Sequence, residues 1–424
     1  MSRDVRITHI RITPVAFRDG PLLNAAGIHE PWALRAIVEL ETSDGRVGLA
    51  ETYGDAPMLA VLEDARVHVL GLSPFALNTM EERLKAAIRP KPGAVEYTLA
   101  PGSHSAKNAA KAVSAFEGAM LDLQGQGIGA PIVDLLGGAL RSQVAYSAYL
   151  FFKYAEHHGR PCEPDAWGEG VSPQQIVAQA RRMIGLYGFQ SIKLKGGVFE
   201  PQHEIAAIRA LREAFPDLPL RLDPNANWSL ATSRRAAEEL DALLEYYEDP
   251  CPGLDGMAEL ARHTRLPLAT NMVVTTLEEF RQNVEKKAVR VILSDHHYWG
   301  GLRATQQLAR MCDLWGMGIS MHSNSHLGIS LMAMTHVAAA IPNLAYACDT
   351  HYPWQDEDIV RGGRIAFTEG AVRVPAQPGL GVELDREALA RLHDQYLSCG
   401  IRNRDDRRQM QKYDPSFTGA APRY

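Results

Sequence analysis

Two lysines flank a single leucine in "QSIKLKGGVF", residues 190–199. If this apolar run is a strand, Lys193 and Lys195 point the same way, since side chains alternate along a strand. Two ammonium groups on one buried face disfavour each other's charge, which pulls a lysine pKa down towards neutrality. One lysine could then take a proton while the other stays cationic and holds a substrate oxygen. The bland alternative is an edge strand whose lysines reach out to water.

Further polar residues recur at regular intervals: Asp223 in "LRLDPNANW", Glu248 in "LEYYEDP", Asn271 in "PLATNM", Asp295 in "VILSDHH" and His322 in "GISMHSNSH". Asp349 and His351 follow in "CDTHYPW". Taken singly, each has a structural reading. Asp before Pro is a common turn residue, Asn271 could cap a helix starting in "TTLEEF", and a lone His is often a satisfied core residue. The spacing argues for more. Steps of 25, 23, 24 and 27 residues place each at the end of a successive strand–helix unit.

As a set they make chemical sense. Asp223, Glu248 and Asn271 offer three oxygen donors, a set suited to Mg²⁺ and not to zinc, which prefers nitrogen and sulfur. Two carboxylates with a neutral amide leave the site more attractive to an anionic substrate than three carboxylates would. Asp295 beside His322 would fix the imidazole tautomer and free its other nitrogen for proton transfer. Lys195 and His322 would then act on opposite faces of one carbon.

These residues converge only if the chain wraps them into one ring. From about residue 143 it reads as strand, loop, helix, repeated, with strands near 144–150, 190–195, 219–223, 244–248, 267–271, 290–295, 317–322 and 344–348. Eight such units predict a (β/α)8 TIM-type barrel, whose strand C-termini carry the active site. A doubly wound open sheet fits the periodicity too, but no G-x-G-x-x-G follows the first strand. Before the barrel, "VRITHIRITPVAF", "ALRAIVELET" and "RVGLAETYG" alternate like strands, and residues 107–126 have helical spacing. This predicts an α+β domain of its own. The expected boundaries are 1–135 for this domain, 136–375 for the barrel and 376–424 for a tail that packs back on the first domain.

Composition narrows the class. Of 424 residues, 46% are apolar and the net charge is −6, so no basic surface invites nucleic acid. No stretch nears the roughly 18 apolar residues of a membrane span. Five widely spaced cysteines without a C-x-x-C pair read as reduced thiols, and the N-terminus lacks a signal-peptide core. The expectation is a cytoplasmic enzyme. His322 and His326 lack the Glu of H-E-x-x-H. His157 and His158 read as solvated loop residues, and His296 and His297 as loop lining.

The motifs "KLKGGV", "LDPNANW", "YYEDP", "ATNM", "SDHHYWGG", "HSNSHLGISLMAMTHVAAA", "DTHYPWQ", "PGLGVELD" and "NRDD" resemble those of the enolase superfamily, within it the glucarate dehydratase group. The Lys or His base with Mg²⁺ is a general feature of that superfamily. The resemblance implies that Asp223, Glu248 and Asn271 bind Mg²⁺. It assigns Lys195, with Lys193 as electrostatic partner, and His322, oriented by Asp295, as the two bases. It also implies substrate contacts from Asn24, His29, Tyr149, Asn225, Ser323, Asn324, His351 and Arg404. The fold implied is the barrel with an α+β capping domain built from the N-terminal region and the C-terminal tail. The loop holding Asn24 and His29 would close over substrate. His296 stands where several members have Pro, and the 157–170 segment is longer than in many.

The implied reaction is dehydration of an acid sugar, a small diacid, with D-glucarate and its C5 epimer L-idarate favoured and 5-keto-4-deoxy-D-glucarate as product. The implied assembly is a homo-oligomer. Competing readings are another acid sugar, such as galactarate or a monoacid sugar, and a catalytically weak homologue serving as a binding or partner subunit.

Overall fold

The computed structural model describes residues 4–89, 104–158 and 166–424. Cys162 and the rest of 159–165, in the long loop after the first barrel strand, lie outside them. Strands Ile7–Arg18, Trp32–Thr42 and Val47–Tyr53 form an antiparallel sheet in that order. The "TSDG" turn joins the last two: Gly45 donates to the Thr42 carbonyl at φ +82°, a left-handed conformation that suits glycine. One sheet face is covered by the helix Asn108–Ile128, whose small residues let it approach closely and which ends at Gly129 with φ +75°. The tail helix Arg386–Ser398 returns to this sheet. His393 bonds the Pro14 carbonyl at 2.7 Å and Gln395 donates to the Ala16 carbonyl at 3.1 Å.

Seven parallel strands follow in sequential order around a ring: Ala148–Phe151, Ile192–Lys195, Leu220–Asp223, Tyr246–Glu248, Leu268–Thr270, Val291–Ser294 and Gly318–Met321. We number these barrel strands one to seven. The eighth, expected at 344–348, is reduced to two parallel bridges, Ile319↔Leu344 and Tyr146↔Cys348. These tie the segment to both neighbours and close the ring. The barrel strands are buried almost throughout, even at their charged residues, because helices cover the outside and side chains fill the inside. The helix Pro173–Tyr187 starts with a Ser172/Gln175 capping box, one of several local signals that place the outer helices.

Among the described residues, no helix is long and apolar enough to cross a membrane. Cys251, Cys312 and Cys348 are free and buried, and Cys399 is buried with its thiol on the Tyr396 carbonyl.

Candidate active site

Lys193 and Lys195 both lie in strand two and are buried, 0% and 7% exposed. The "GGV" turn beyond them is tight. Gly197 has φ +72°, and a Cβ there would meet the Pro224 carbonyl oxygen at 2.1 Å. Glu204 holds the turn by accepting the Gly197, Val198 and Phe199 N–H groups.

The two lysines differ in their partners. Lys195 Nζ donates to Asp223 Oδ2 at 2.7 Å and to Asn225 Oδ1. Lys193 Nζ lies 2.6 Å from Glu248 Oε2, 2.7 Å from Asp349 Oδ2 and 3.5 Å from Asp223 Oδ2. It also sits 4.7 Å above the Tyr149 ring. Of the two lysines, Lys193 is the one held as a cation. Burial opposes its charge, but Asp349 and Glu248 more than offset that and push its pKa well above the usual value.

Asp223 and Glu248 end strands three and four, and Asn271 directly follows strand five. Burial and the neighbouring Asp223 raise the Glu248 carboxyl well above the carboxylate range. For Asp223 itself, burial is outweighed by Lys195 and Lys193, and its pKa falls. Asn271 does not cap a helix; Thr276 caps the next one. Asn271 is fixed by Asp249, which accepts the Asn271 N–H at 2.8 Å and the Thr270 hydroxyl at 2.6 Å. Burial and Asp223 lift Asp249 to about 7. Its φ of +37°, with +54° at Asn225 and +59° at Ala226, places three non-glycine residues in the left-handed region beside one site, where such conformations tend to collect.

The donor set fits a hard cation. Glu248 Oε1 and Asn271 Oδ1 are buried acceptors with no hydrogen-bond donor. Leaving such atoms unpaired is costly, and an oxygen-preferring divalent ion would satisfy both. Asp295, His296 and His297 also bring ligand-type atoms within 4.8 Å of one another. His297 is already bonded to Asp295 and to the Arg35 guanidinium, whose positive charge disfavours a cation there.

Asp295 and His322 follow strands six and seven, and His322 Nδ1 is 3.1 Å from Asp295 Oδ2. Asp295 holds a second imidazole as well: its Oδ1 is 2.8 Å from His297 Nδ1. Burial raises the Asp295 carboxyl, but His297 and His322 outweigh that and hold it well below the usual range. His297 is thus more than loop lining. The one signal that could have marked it is its position two residues after a strand-end Asp. In strand order, the oxygens of strands three to five are flanked by Lys195 on one side and by the Asp295–His322 pair on the other.

The residues implied as substrate contacts fall into two groups. Ser323 Oγ lies 3.3 Å from His351 Nδ1 and accepts the His351 N–H, while Asn324 donates to the Tyr53 hydroxyl. His351 packs between Tyr149 and His29, at ring distances of 4.9 and 6.2 Å. The second group lies in the 20s loop and the tail. His29 Nδ1 is 3.1 Å from Asp19 Oδ2, and Asn24 donates to Asp406 at 2.7 Å. Arg404 grips Asp406 with two 2.7 Å bonds. Asp19 and Asp406 carry no role in the sequence reading: Asp19 lies ten residues before the His29 it orients, and Asp406, in the "NRDD" motif, holds Arg404 two residues away and Asn24 from the far end of the chain. His157, expected to be solvated, is buried and bonds the Asp19 carbonyl at 2.9 Å.

Residues 175–388 match the family described as Enolase C-terminal domain-like. A probable glucarate dehydratase from Streptomyces coelicolor is 50% identical over 432 residues, covering all of both chains. A D-xylonate dehydratase from Haloferax volcanii is 28% identical, covering 91% of this chain and 89% of its own. Among solved structures, an enolase from Pseudomonas fluorescens Pf0-1 with bound magnesium, potassium and tartrate superimposes with a TM-score of 0.97. It is 58% identical and covers all of both chains. With the ring of strand-end residues already in place, these matches show that the chain belongs to the enolase superfamily.

Proposed function

We propose that this enzyme dehydrates an acid sugar, D-glucarate or its C5 epimer L-idarate, to 5-keto-4-deoxy-D-glucarate. The observation that carries the reading is the flanking of three oxygen donors by two separate proton acceptors. Lys195 approaches from strand two and His322 from strand seven. The full-length similarity to a probable glucarate dehydratase and the tartrate, a small diacid, in a 58% identical structure support the substrate class.

Asp223, Glu248 and Asn271 would hold Mg²⁺, which when bound supplies positive charge beside the substrate carboxylate. A proton next to a carboxylate is a very weak acid, and its loss builds negative charge on the carboxylate oxygens. Lys193, kept cationic by its carboxylates, stabilises that charge electrostatically. Lys195 removes the proton from one epimer. His322, whose Nδ1 faces Asp295, removes it from the other through Nε2. The neighbouring hydroxyl then leaves as water with a proton from the site, and the enol relaxes to the keto acid. Asn225, Tyr149, Ser323, Asn324 and His351 line the substrate space, and Asn24, His29 and Arg404 meet the substrate from the 20s loop and the tail.

The test is turnover across a library of mono- and diacid sugars. D-glucarate or L-idarate should rank first in kcat/KM. A different acid sugar ahead by about tenfold, a transition-state difference of about 1.4 kcal/mol, would replace the substrate assignment.

A further inference from the structure

We propose that Arg35 and His297 are positioning residues for His322: Arg35 selects the His297 tautomer, and His297 turns Asp295 so that one carboxylate oxygen is left for His322. The proposal deepens the assignment of His322 as a base and rests on that reading for its effect on exchange, while its tautomer content stands apart from any substrate.

Arg35 belongs to the antiparallel sheet of the capping domain and is 1% exposed. Its Nε donates to Glu51 Oε1 at 2.8 Å. Glu51 in turn accepts the Leu327 and Ser330 N–H groups at the start of the barrel helix Gly328–Ala340. The guanidinium is therefore held at both ends of the contact between capping domain and barrel. Its Nη2 lies 2.9 Å from His297 Nε2 and 3.3 Å from Ser330 Oγ.

A guanidinium only donates. His297 Nε2 must therefore accept, and the ring proton belongs on Nδ1. A doubly protonated ring would set N–H against N–H. Ser330 Oγ, 2.7 Å from the same nitrogen, can donate or accept and would fit either tautomer, so Arg35 makes the choice. His297 then gives Asp295 Oδ1 two donors, its Nδ1–H at 2.8 Å and its backbone N–H at 2.9 Å. Oδ2 remains for His322 Nδ1 at 3.1 Å. This pairing puts the His322 proton on Nδ1 and its lone pair on Nε2, the form a base requires. The protonation state of a barrel base is in this way set by a residue of the capping sheet.

Two measurements on the full-length enzyme test this. The first is α-proton exchange in D2O with D-glucarate and L-idarate, the His322 face being the epimer whose exchange His322→Asn abolishes. His297→Phe should slow exchange at that face by about 10–100-fold, the usual cost of losing an orienting partner, while exchange at the Lys195 face stays within about threefold. His297→Gln, whose amide can accept from Arg35 and donate to Asp295, should restore most of the loss. A folded His297→Phe enzyme that loses both faces equally, or neither, overturns the proposal. The second measurement is side-chain nitrogen NMR of histidine-labelled wild-type enzyme, which needs neither substrate nor a variant that folds. Nδ1–H tautomers at both His297 and His322 support the proposal, and an Nε2–H tautomer at either overturns it. A wild-type enzyme that exchanges neither epimer would sink the substrate assignment and leave the tautomer result to decide the proposal.

Discussion

Lys193 Nζ lies 2.7 Å from Asp349 Oδ2, reaching from strand two past strand one to the residue that follows the bridge-only eighth segment. The same ammonium is 2.6 Å from Glu248, so one buried cation ties three sectors of the ring together. Asp349 also lies 3.9 Å from the buried Arg221 guanidinium. The mouth of the barrel is thus an alternating lattice of buried charges, stable only while each has a partner.

Removing one member should therefore cost more than the loss of a surface pair. Lys193→Met leaves Glu248, Asp349 and Asp223 without their shared cation, and we expect a loss of about 3–5 kcal/mol, as for other broken buried pairs. Urea unfolding of wild type and variant checks this. A change below about 1 kcal/mol, the range of exposed pairs, would contradict the buried geometry.

The two bases should divide the substrates. Lys195→Ala is expected to lower turnover of one epimer by about 10²–10⁴-fold, the usual span for a lost general base, with the other epimer much less affected. His322→Asn should show the reverse preference. Equal losses on D-glucarate and L-idarate for both variants would show that one base serves both.

Divalent metal should be required. Chelation is expected to abolish activity, and added Mg²⁺ to restore it. Asp249→Ala removes the acceptor that holds the Asn271 backbone and the Thr270 hydroxyl. It should raise the Mg²⁺ concentration for half-maximal activity by about 10–100-fold, read from a metal titration. An unchanged titration would separate Asp249 from the metal site.

Glu204, which holds the turn after Lys195, gives a pH signature. Burial raises its pKa to about 7 although three backbone N–H groups favour the charged form. The folded state thus binds this proton more tightly than the unfolded state. Its contribution is fully present below the unfolded value of about 4.5 and is lost as pH rises towards 7. Glu204→Gln removes that titration. Relative to wild type, the variant should gain stability between pH 5 and pH 8, on the order of 2–3 kcal/mol. Denaturation curves at the two pH values measure it, and a difference independent of pH would argue against the raised pKa.

The strand–helix rhythm, the lysine pair on one face and the strand-end series from Asp223 to His322 were legible in the sequence, because each depends on local period and spacing. A side chain two residues along a strand must share its neighbour's face, and a repeated unit must return the chain to the same rim. What only the tertiary structure decided is the pairing. It gave Lys193 to Asp349 and Glu248, and so decided which lysine of the pair is held charged. It seated His297 on Asp295 with Arg35 behind it, from a strand some 260 residues earlier. It also brought Asp406 from the tail to Asn24 and Arg404. A buried charge takes its protonation state from whichever groups surround it in space, and those neighbours come from parts of the chain with no common period.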